Sequence, residues 1–232
     1  MFSFLEFLEE QFHLTLQYHN KLNPVIWDGK ELRPGIKQQL LRHADRFARH
    51  SGISLAAAKD IIITGSNVNY NYTRHSDLDV HIIIDTQKSD AELYQAKASW
   101  TAKNKNLTLT GTRVPYPIEF YVENTRDGHS RPSGQGVYSL KQDRWLIEPK
   151  KLDVVKLMND PRVLMKIKHE LDYVKNYLLT KGTKQDIIAY KEKLWRGRDA
   201  GLHKAGEFSI ENMIYKDLRN RGLIDKLNQK LN

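Results

Sequence analysis

The chain has 232 residues, 40% of them apolar, and no cysteine. That composition supports a sizeable core and excludes global disorder, a disulfide scaffold, thiolate zinc sites and a cysteine nucleophile. Lys and Arg number 37 against 28 Asp and Glu, a net charge of +9, and the excess is local: residues 1–149 hold 18 basic and 17 acidic side chains, residues 150–232 hold 19 and 11.

Residues 3–18 read as an amphipathic helix with Ser3 at the N-cap and Glu6 at the capping-box position. The same stretch carries Glu6, Glu9 and Glu10 and lacks the basic start and cleavage site of a signal peptide, so a cytoplasmic location is expected. No apolar run approaches the roughly 20 residues of a membrane helix. The segment 22–34 is punctuated by Pro and Gly and reads as a connector. Ile36, Leu40, Leu41, Ala44 and Phe47 recur at helical spacing, predicting a helix from Pro34 to His50. DIIITGS (60–66) and DLDVHIIID (77–85) read as strands, with a polar and aromatic stretch between them long enough for a short helix and a loop. Ser89 and Glu92 form a capping box opening a helix to about Lys103. Leu107–Arg113 and Ile118–Glu123 are expected strands, 124–136 a loop, and 136–140 with 144–148 a hairpin. Beyond that the pattern is helical. Asp160-Pro161 is an N-cap followed by a proline at N1, and Leu164, Ile167, Leu171, Val174 and Leu178 form a stripe. Thr183 with Asp186, and then Ser209, open further helices.

One segment carries chemistry: Gly65-Ser66, a gap of ten residues, then Asp77-Leu78-Asp79-Val80. Side chains at i and i+2 of a strand share a face, so Asp77 and Asp79 project together while Leu78 and Val80 turn into the core. Two carboxylates that close repel when both are ionised, and folding alone does not require them. A divalent cation does: Mg²⁺, with Mn²⁺ as the alternative ion, favours carboxylate oxygens and substrate phosphates. A pair of such ions can grip both the attacking and the leaving oxygen of an in-line phosphoryl displacement. A strand ending in glycine brings backbone N–H groups close to a ligand, and a helix start after it adds partial positive charge. Ser66 offers a hydroxyl to a phosphate oxygen. Glu119 is an acid within an otherwise apolar strand, unusual without a partner. It is expected to complete the metal site and to act as general base toward an attacking hydroxyl. Glu123 shares its face but stands at the strand end, where exposure is the default.

The pattern Thr64-Gly65-Ser66, Ser76-Asp77-Leu78-Asp79-Val80 and Ile118-Glu119-Phe120 resembles the nucleotidyltransferase superfamily, which includes poly(A) polymerases, CCA-adding enzymes, oligoadenylate and cyclic-dinucleotide synthases and antibiotic nucleotidyltransferases. The match covers residues 60–123. Leu22-Asn23-Pro24 through Trp27, and Gly206 through Asn212, look like segments of predicted nucleotidyltransferases of tailed phages. The resemblance implies an α/β fold: a mixed sheet flanked by helices, followed by an all-helical C-terminal region. It also implies an NTP donor and an Mg²⁺-dependent site in which Asp77 and Asp79 ligate metal and Glu119 completes the triad. In several branches a helical lobe holds the triphosphate tail. Lys168 and Lys175, seven apart on one helix face, are the candidates here; the alternative is a solvated face.

Ser76 either orients a carboxylate or is a plain turn residue. Arg74 and His75 lie where they can meet phosphate, or are solvated loop residues. His81 shares the face of the aspartates and is expected to be a packed histidine rather than a ligand. Tyr70 and Tyr72 can stack on a base or pack structurally. Tyr190 through Arg198 interleaves basic and aromatic residues, as a nucleic-acid contact would, but Ile187, Ile188, Leu194 and Trp195 are expected to pack as core. The resulting expectation is a catalytic α/β domain over 1–149 and a basic helical domain over 150–232. The reaction expected is transfer of a nucleotidyl group from an NTP to a hydroxyl, with release of pyrophosphate and with RNA as a candidate acceptor. The alternatives are a protein or small-molecule acceptor, or a nucleotide- or RNA-binding module without turnover.

Overall fold

The computed structural model describes residues 14–125, 135–151 and 159–231. The chain divides into two compact units, Tyr18–Lys151 and Leu152–Asn232 together with Met1–Gln17.

In the first unit a two-residue hairpin, β1 (Trp27–Asp28) against β2 (Glu31–Leu32), turns at Gly29. It lies inside the stretch expected to be a plain connector. Helix α1 (Pro34–His50) starts with proline in its first turn and buries Ile36, Leu40, Ala44 and Phe47. Then come β3 (Asp60–Thr64), β4 (Leu78–Ile84), α2 (Asp90–Lys103), β5 (Ile118–Asn124), β6 (Val137–Ser139) and β7 (Arg144–Ile147). The sheet order is β5-β4-β3-β6-β7. Strands β4 and β5 are parallel and the other neighbours antiparallel, so the sheet is mixed. A parallel pair needs a crossover, and α2 lies in it. That helix opens on the Ser89–Glu92 capping box, both halves of which are formed.

Ile61, Ile63, Leu78, Val80, Ile82, Ile118 and Phe120 are buried in one cluster with the apolar residues of α1 and with Trp100 of α2. Phe47 lies 5.3 Å from Phe120 and 5.5 Å from Trp100, between ring centroids. Each fully buried side chain of this size contributes about 1.5–3 kcal/mol. The cluster therefore locks the strand register, because a slip of one residue would drive Asp79 into the core in place of Val80. The same period-two alternation leaves Asp79 and Glu119 on the opposite face.

The stretch 107–113 is not a strand. It makes a single bridge, Thr108 to Pro117, with Leu109 N donating to Tyr116 O at 2.9 Å. Pro115 and Pro117 have no N–H to donate, so no ladder propagates.

The second unit contains α3 (Pro161–Tyr173), continued by a π-turn over Val174–Leu178, then α4 (Lys184–Ala205), α5 (Ile210–Asn220) and α6 (Leu223–Leu231). Asp160, Thr183 and Ser209 cap their helices as the sequence implies. The buried stripe of α3 begins with Val163; Leu164, expected on it, is only half-buried. Asp217 is fully buried, and its Oδ1 accepts from Thr15 N at 2.7 Å and from Thr15 Oγ1 at 2.6 Å. Residues 14–17 thus group with the helices. Residues 14–18 are not helical; the rest of the helix expected over 3–18 lies outside the described residues. Among the described residues, no helix is long and apolar enough to cross a membrane.

Candidate metal centre

In the parallel pairing of β4 with β5, Asp79 stands opposite Glu119. In the antiparallel pairing with β3, it stands opposite Thr64. Asp77 lies one residue before β4. These elements bring one carboxylate oxygen each from Asp77, Asp79 and Glu119 within 4.8 Å of one another, with all three residues half-buried. Two full charges at that separation repel by roughly 1–3 kcal/mol in a partly screened site. The sheet therefore holds together a cluster that its own electrostatics oppose. The donor set, three hard carboxylate oxygens on one side of a sheet, fits Mg²⁺ or Mn²⁺.

Gly65 ends β3 with φ +84° and ψ −169°, a region of backbone space that is essentially glycine's alone. Its absent side chain has a second consequence. A Cβ at this position would stand 2.2 Å from Asp79 Oδ2, so the Asp79 carboxylate occupies the space that glycine leaves. The short helix expected next is a single 3₁₀ turn, Ser66–Val68. One such turn has too few aligned peptides to supply the helix-terminal charge anticipated from the sequence. Ser66 and Ser76 are buried, and Ser66 Oγ donates to Ser76 Oγ at 2.7 Å. Ser76 Oγ also accepts from Thr73 N at 2.9 Å. The two hydroxyls thereby tie the end of β3 to the loop that delivers Asp77.

The asparagines of the 67–76 gap brace the same loop. Asn67, fully buried, donates through Nδ2 to Asp77 O at 2.8 Å and accepts through Oδ1 from Asn23 Nδ2 at 2.8 Å. Its carbonyl accepts from Trp27 Nε1 at 2.8 Å, which anchors the β1 hairpin to the site. Asn69 Nδ2 donates to Gly65 O at 2.7 Å, and its Oδ1 accepts from Gly136 N at 2.9 Å. Tyr70 is buried against Tyr18, and Tyr72 stacks on His19 with centroids 3.9 Å apart. Arg74 and His75 lie at the loop's outer end, with Arg74 Nε 2.9 Å from His75 Nε2.

Around Glu119 the structure adds residues that the sequence reading did not single out. Tyr121 OH donates to Glu119 Oε2 at 2.7 Å. Lys97 Nζ, from α2, stands 3.7 Å from that same oxygen and 3.5 Å from the centroid of the Tyr121 ring. Burial, and then the Asp79 and Glu119 charges, push the Tyr121 phenol far above its ordinary pKa, so it remains a proton donor. His81 stacks on Tyr121 at 4.5 Å, and its Nε2 lies 3.0 Å from Thr64 Oγ1. Its Nδ1 pairs with Glu123. Glu123 is therefore buried with a partner rather than exposed at a strand end. The available signal for Tyr121 was its i+2 relation to Glu119; Lys97, from a distant helix, had none.

Other predicted residues belong to the helical unit. Lys168 is half-buried on α3 and Lys175 is exposed in the π-turn, so the seven-residue spacing does not run through uninterrupted α-helix. Ile187 is fully buried, but Ile188 and Trp195, expected as core, are 41% and 49% exposed.

No protein-family model matches the chain, and no curated protein matches it. A solved structure to which it is similar is that of a STING-associated CdnE c-di-GMP synthase from Capnocytophaga granulosa, with 15% sequence identity and a TM-score of 0.24. That similarity covers 86% of this chain and 65% of the other. A likeness this distant carries neither fold nor activity to this chain, so function has to be read from its own residues.

Proposed function

We propose that this chain is a divalent-cation-dependent nucleotidyltransferase that moves a nucleotidyl group from an NTP to a hydroxyl and releases pyrophosphate. The observation that carries the proposal is the convergence of Asp77, Asp79 and Glu119 within 4.8 Å, beside a glycine turn so close that no Cβ fits against Asp79. Asp77, Asp79 and Glu119 would hold Mg²⁺ or Mn²⁺, which would supply positive charge to offset the negative charge of the transferred phosphate and the leaving pyrophosphate. Gly65 and Ser66 would be the part of the β3 turn that faces the phosphate chain, with Ser76 steadying that turn through Ser66. Glu119 would take the proton of an attacking hydroxyl. Lys168 and Lys175 are the candidates for the triphosphate tail.

RNA is the acceptor that the helical unit favours. The sequence from 150 to 232 holds 19 basic and 11 acidic residues. Half-exposed Trp195 lines a cavity of about 500 Å³ with Ile188, Lys191, Glu192, Arg196 and Leu231. Arg198 lies 5.4 Å from the Trp195 ring and 4.6 Å from that of Tyr215. An exposed aromatic among basic side chains suits base stacking combined with phosphate contact.

The test is incubation with each labelled NTP, Mg²⁺, total RNA and total protein, with pyrophosphate release followed in parallel. The expected result is label in one acceptor pool, lost in Asp79→Asn with the melting temperature retained. Full turnover in that variant would sink the catalytic assignment. NTP binding without pyrophosphate release would favour a binding module instead.

A further inference from the structure

Three carboxylates held together raise a question that the metal alone does not answer: what keeps the third in place before a cation arrives? Glu119 comes from a neighbouring strand, and its side chain has more rotatable bonds than an aspartate's. Its Oε2 accepts from Tyr121 OH at 2.7 Å, and Lys97 Nζ stands 3.7 Å away. Tyr121 is itself clamped, with one ring face stacked on buried His81 at 4.5 Å and the Lys97 ammonium 3.5 Å from its centroid. Each component therefore has two holds: the phenol on Glu119 and His81, the ammonium on the carboxylate and the ring.

We propose that Tyr121 and Lys97 are positioning residues that preset Glu119 as the third ligand of the cation site, binding one of its oxygens and leaving the other for the ion. The proposal rests on the metal-site reading above. The two residues act with opposite sign. The phenol orders the carboxylate in the geometry the cation uses, so losing it weakens cation binding. The ammonium is a positive charge beside the three-carboxylate cluster. It relieves their repulsion while the ion is absent and opposes the ion when it arrives, so losing it strengthens cation binding. The cation–π contact keeps the ammonium at the site once the ion binds the other Glu119 oxygen. A merely structural pair would not give opposite signs.

Mn²⁺ titration of the full chain, following the electron paramagnetic resonance signal of the free ion, tests this without any turnover. Tyr121→Phe keeps the ring and its stacking but removes the hydroxyl; it should bind Mn²⁺ about threefold to tenfold more weakly, the scale of one hydrogen bond to a half-exposed charge. Lys97→Met should bind severalfold more tightly, and Lys97→Arg should return affinity to that of the natural chain. Circular dichroism melts confirm that each variant is folded. Unchanged affinity in Tyr121→Phe, or a Lys97→Met that binds no more tightly, overturns the proposal. If Asp77→Asn and Asp79→Asn nonetheless lose Mn²⁺, the metal-site reading survives that failure. Absence of Mn²⁺ binding by the natural chain overturns both.

Discussion

Replacing Gly65 with alanine separates the cost of a turn from the cost of a displaced ligand. The backbone at φ +84° and ψ −169° charges a non-glycine residue about 1–3 kcal/mol. At roughly 2–4 °C per kcal/mol for a chain of this length, the melting temperature should fall by about 2–12 °C. The steric part is different. The new Cβ would meet Asp79 Oδ2 at 2.2 Å, and that oxygen is the far end of a movable side chain. Asp79 can retreat by about 1 Å at little cost to stability, but metal ligation tolerates only about 0.2 Å. A misplacement of about 1 Å costs on the order of 100-fold in activity. Gly65→Ala should therefore remain folded at 25 °C, yet lose about 100-fold or more in NTP turnover and show weakened Mn²⁺ binding. Gly29→Ala is the control: its φ of +60° is also positive, but no atom lies within 4 Å of the new Cβ, so cation affinity should not change. The assay is a thermal melt by circular dichroism beside a Mn²⁺ titration of both variants. Wild-type affinity in folded Gly65→Ala would refute the placement of Asp79 as a ligand against this turn.

Asn67→Ala strands two partners, the half-buried Asp77 carbonyl and the buried Asn23 amide. At about 1–3 kcal/mol for each unsatisfied group, the denaturant midpoint should fall clearly; an unchanged midpoint would mean the loop is held elsewhere. Glu92, Asp160 and Asp186 all have carboxyl pKa values below their ordinary range. The causes are the Ser89 backbone N–H, the Arg162 guanidinium and the Thr183 hydroxyl respectively, with Asp160 at about 2. Because folding lowers these values, their stabilisation is complete above about pH 4–5 and is lost as pH falls through the folded-state values. Far-UV circular dichroism should thus show helix loss beginning below about pH 4. Ser89→Ala should cost about 1 kcal/mol near neutrality and lose less on acidification than the natural chain does. Trp195→Ala should weaken binding of single-stranded RNA by about 1–3 kcal/mol, read by fluorescence anisotropy. Equal binding would remove Trp195 from the acceptor surface.

The strands carrying the acids were legible because their pattern is strong. Ile61 and Ile63, then Leu78, Val80 and Ile82, alternate with the residues of the site face, and a period of two predicts which side Asp79 takes. Glu119 was legible as a lone acid among Ile118, Phe120 and Val122. The capping boxes at Ser89 and Thr183 were readable because both halves lie within four residues of sequence. What failed was non-local or cooperative. The β1 hairpin has strands of two residues, too short to show a period. The run 107–113 looks like a strand until Pro117, its bridging partner, is seen to have no donor. Trp195 has helical spacing suited to a core, yet it is half-exposed on α4. The roles of Asn67 and Asn69 were not legible, because their partners, Asn23 and Gly136, lie 44 and 67 positions away.

The pairing of Thr15 with buried Asp217 has a bearing on biosynthesis. The helical unit joins residues 14–17 to helices that follow Asp160, whereas the unit bearing the acids is a continuous run, Tyr18–Lys151. At roughly 5–20 residues per second, a translating ribosome would release that run several seconds before α5 and α6 exist. The carboxylate cluster can therefore form before Thr15 meets Asp217, which lies on a helix made later.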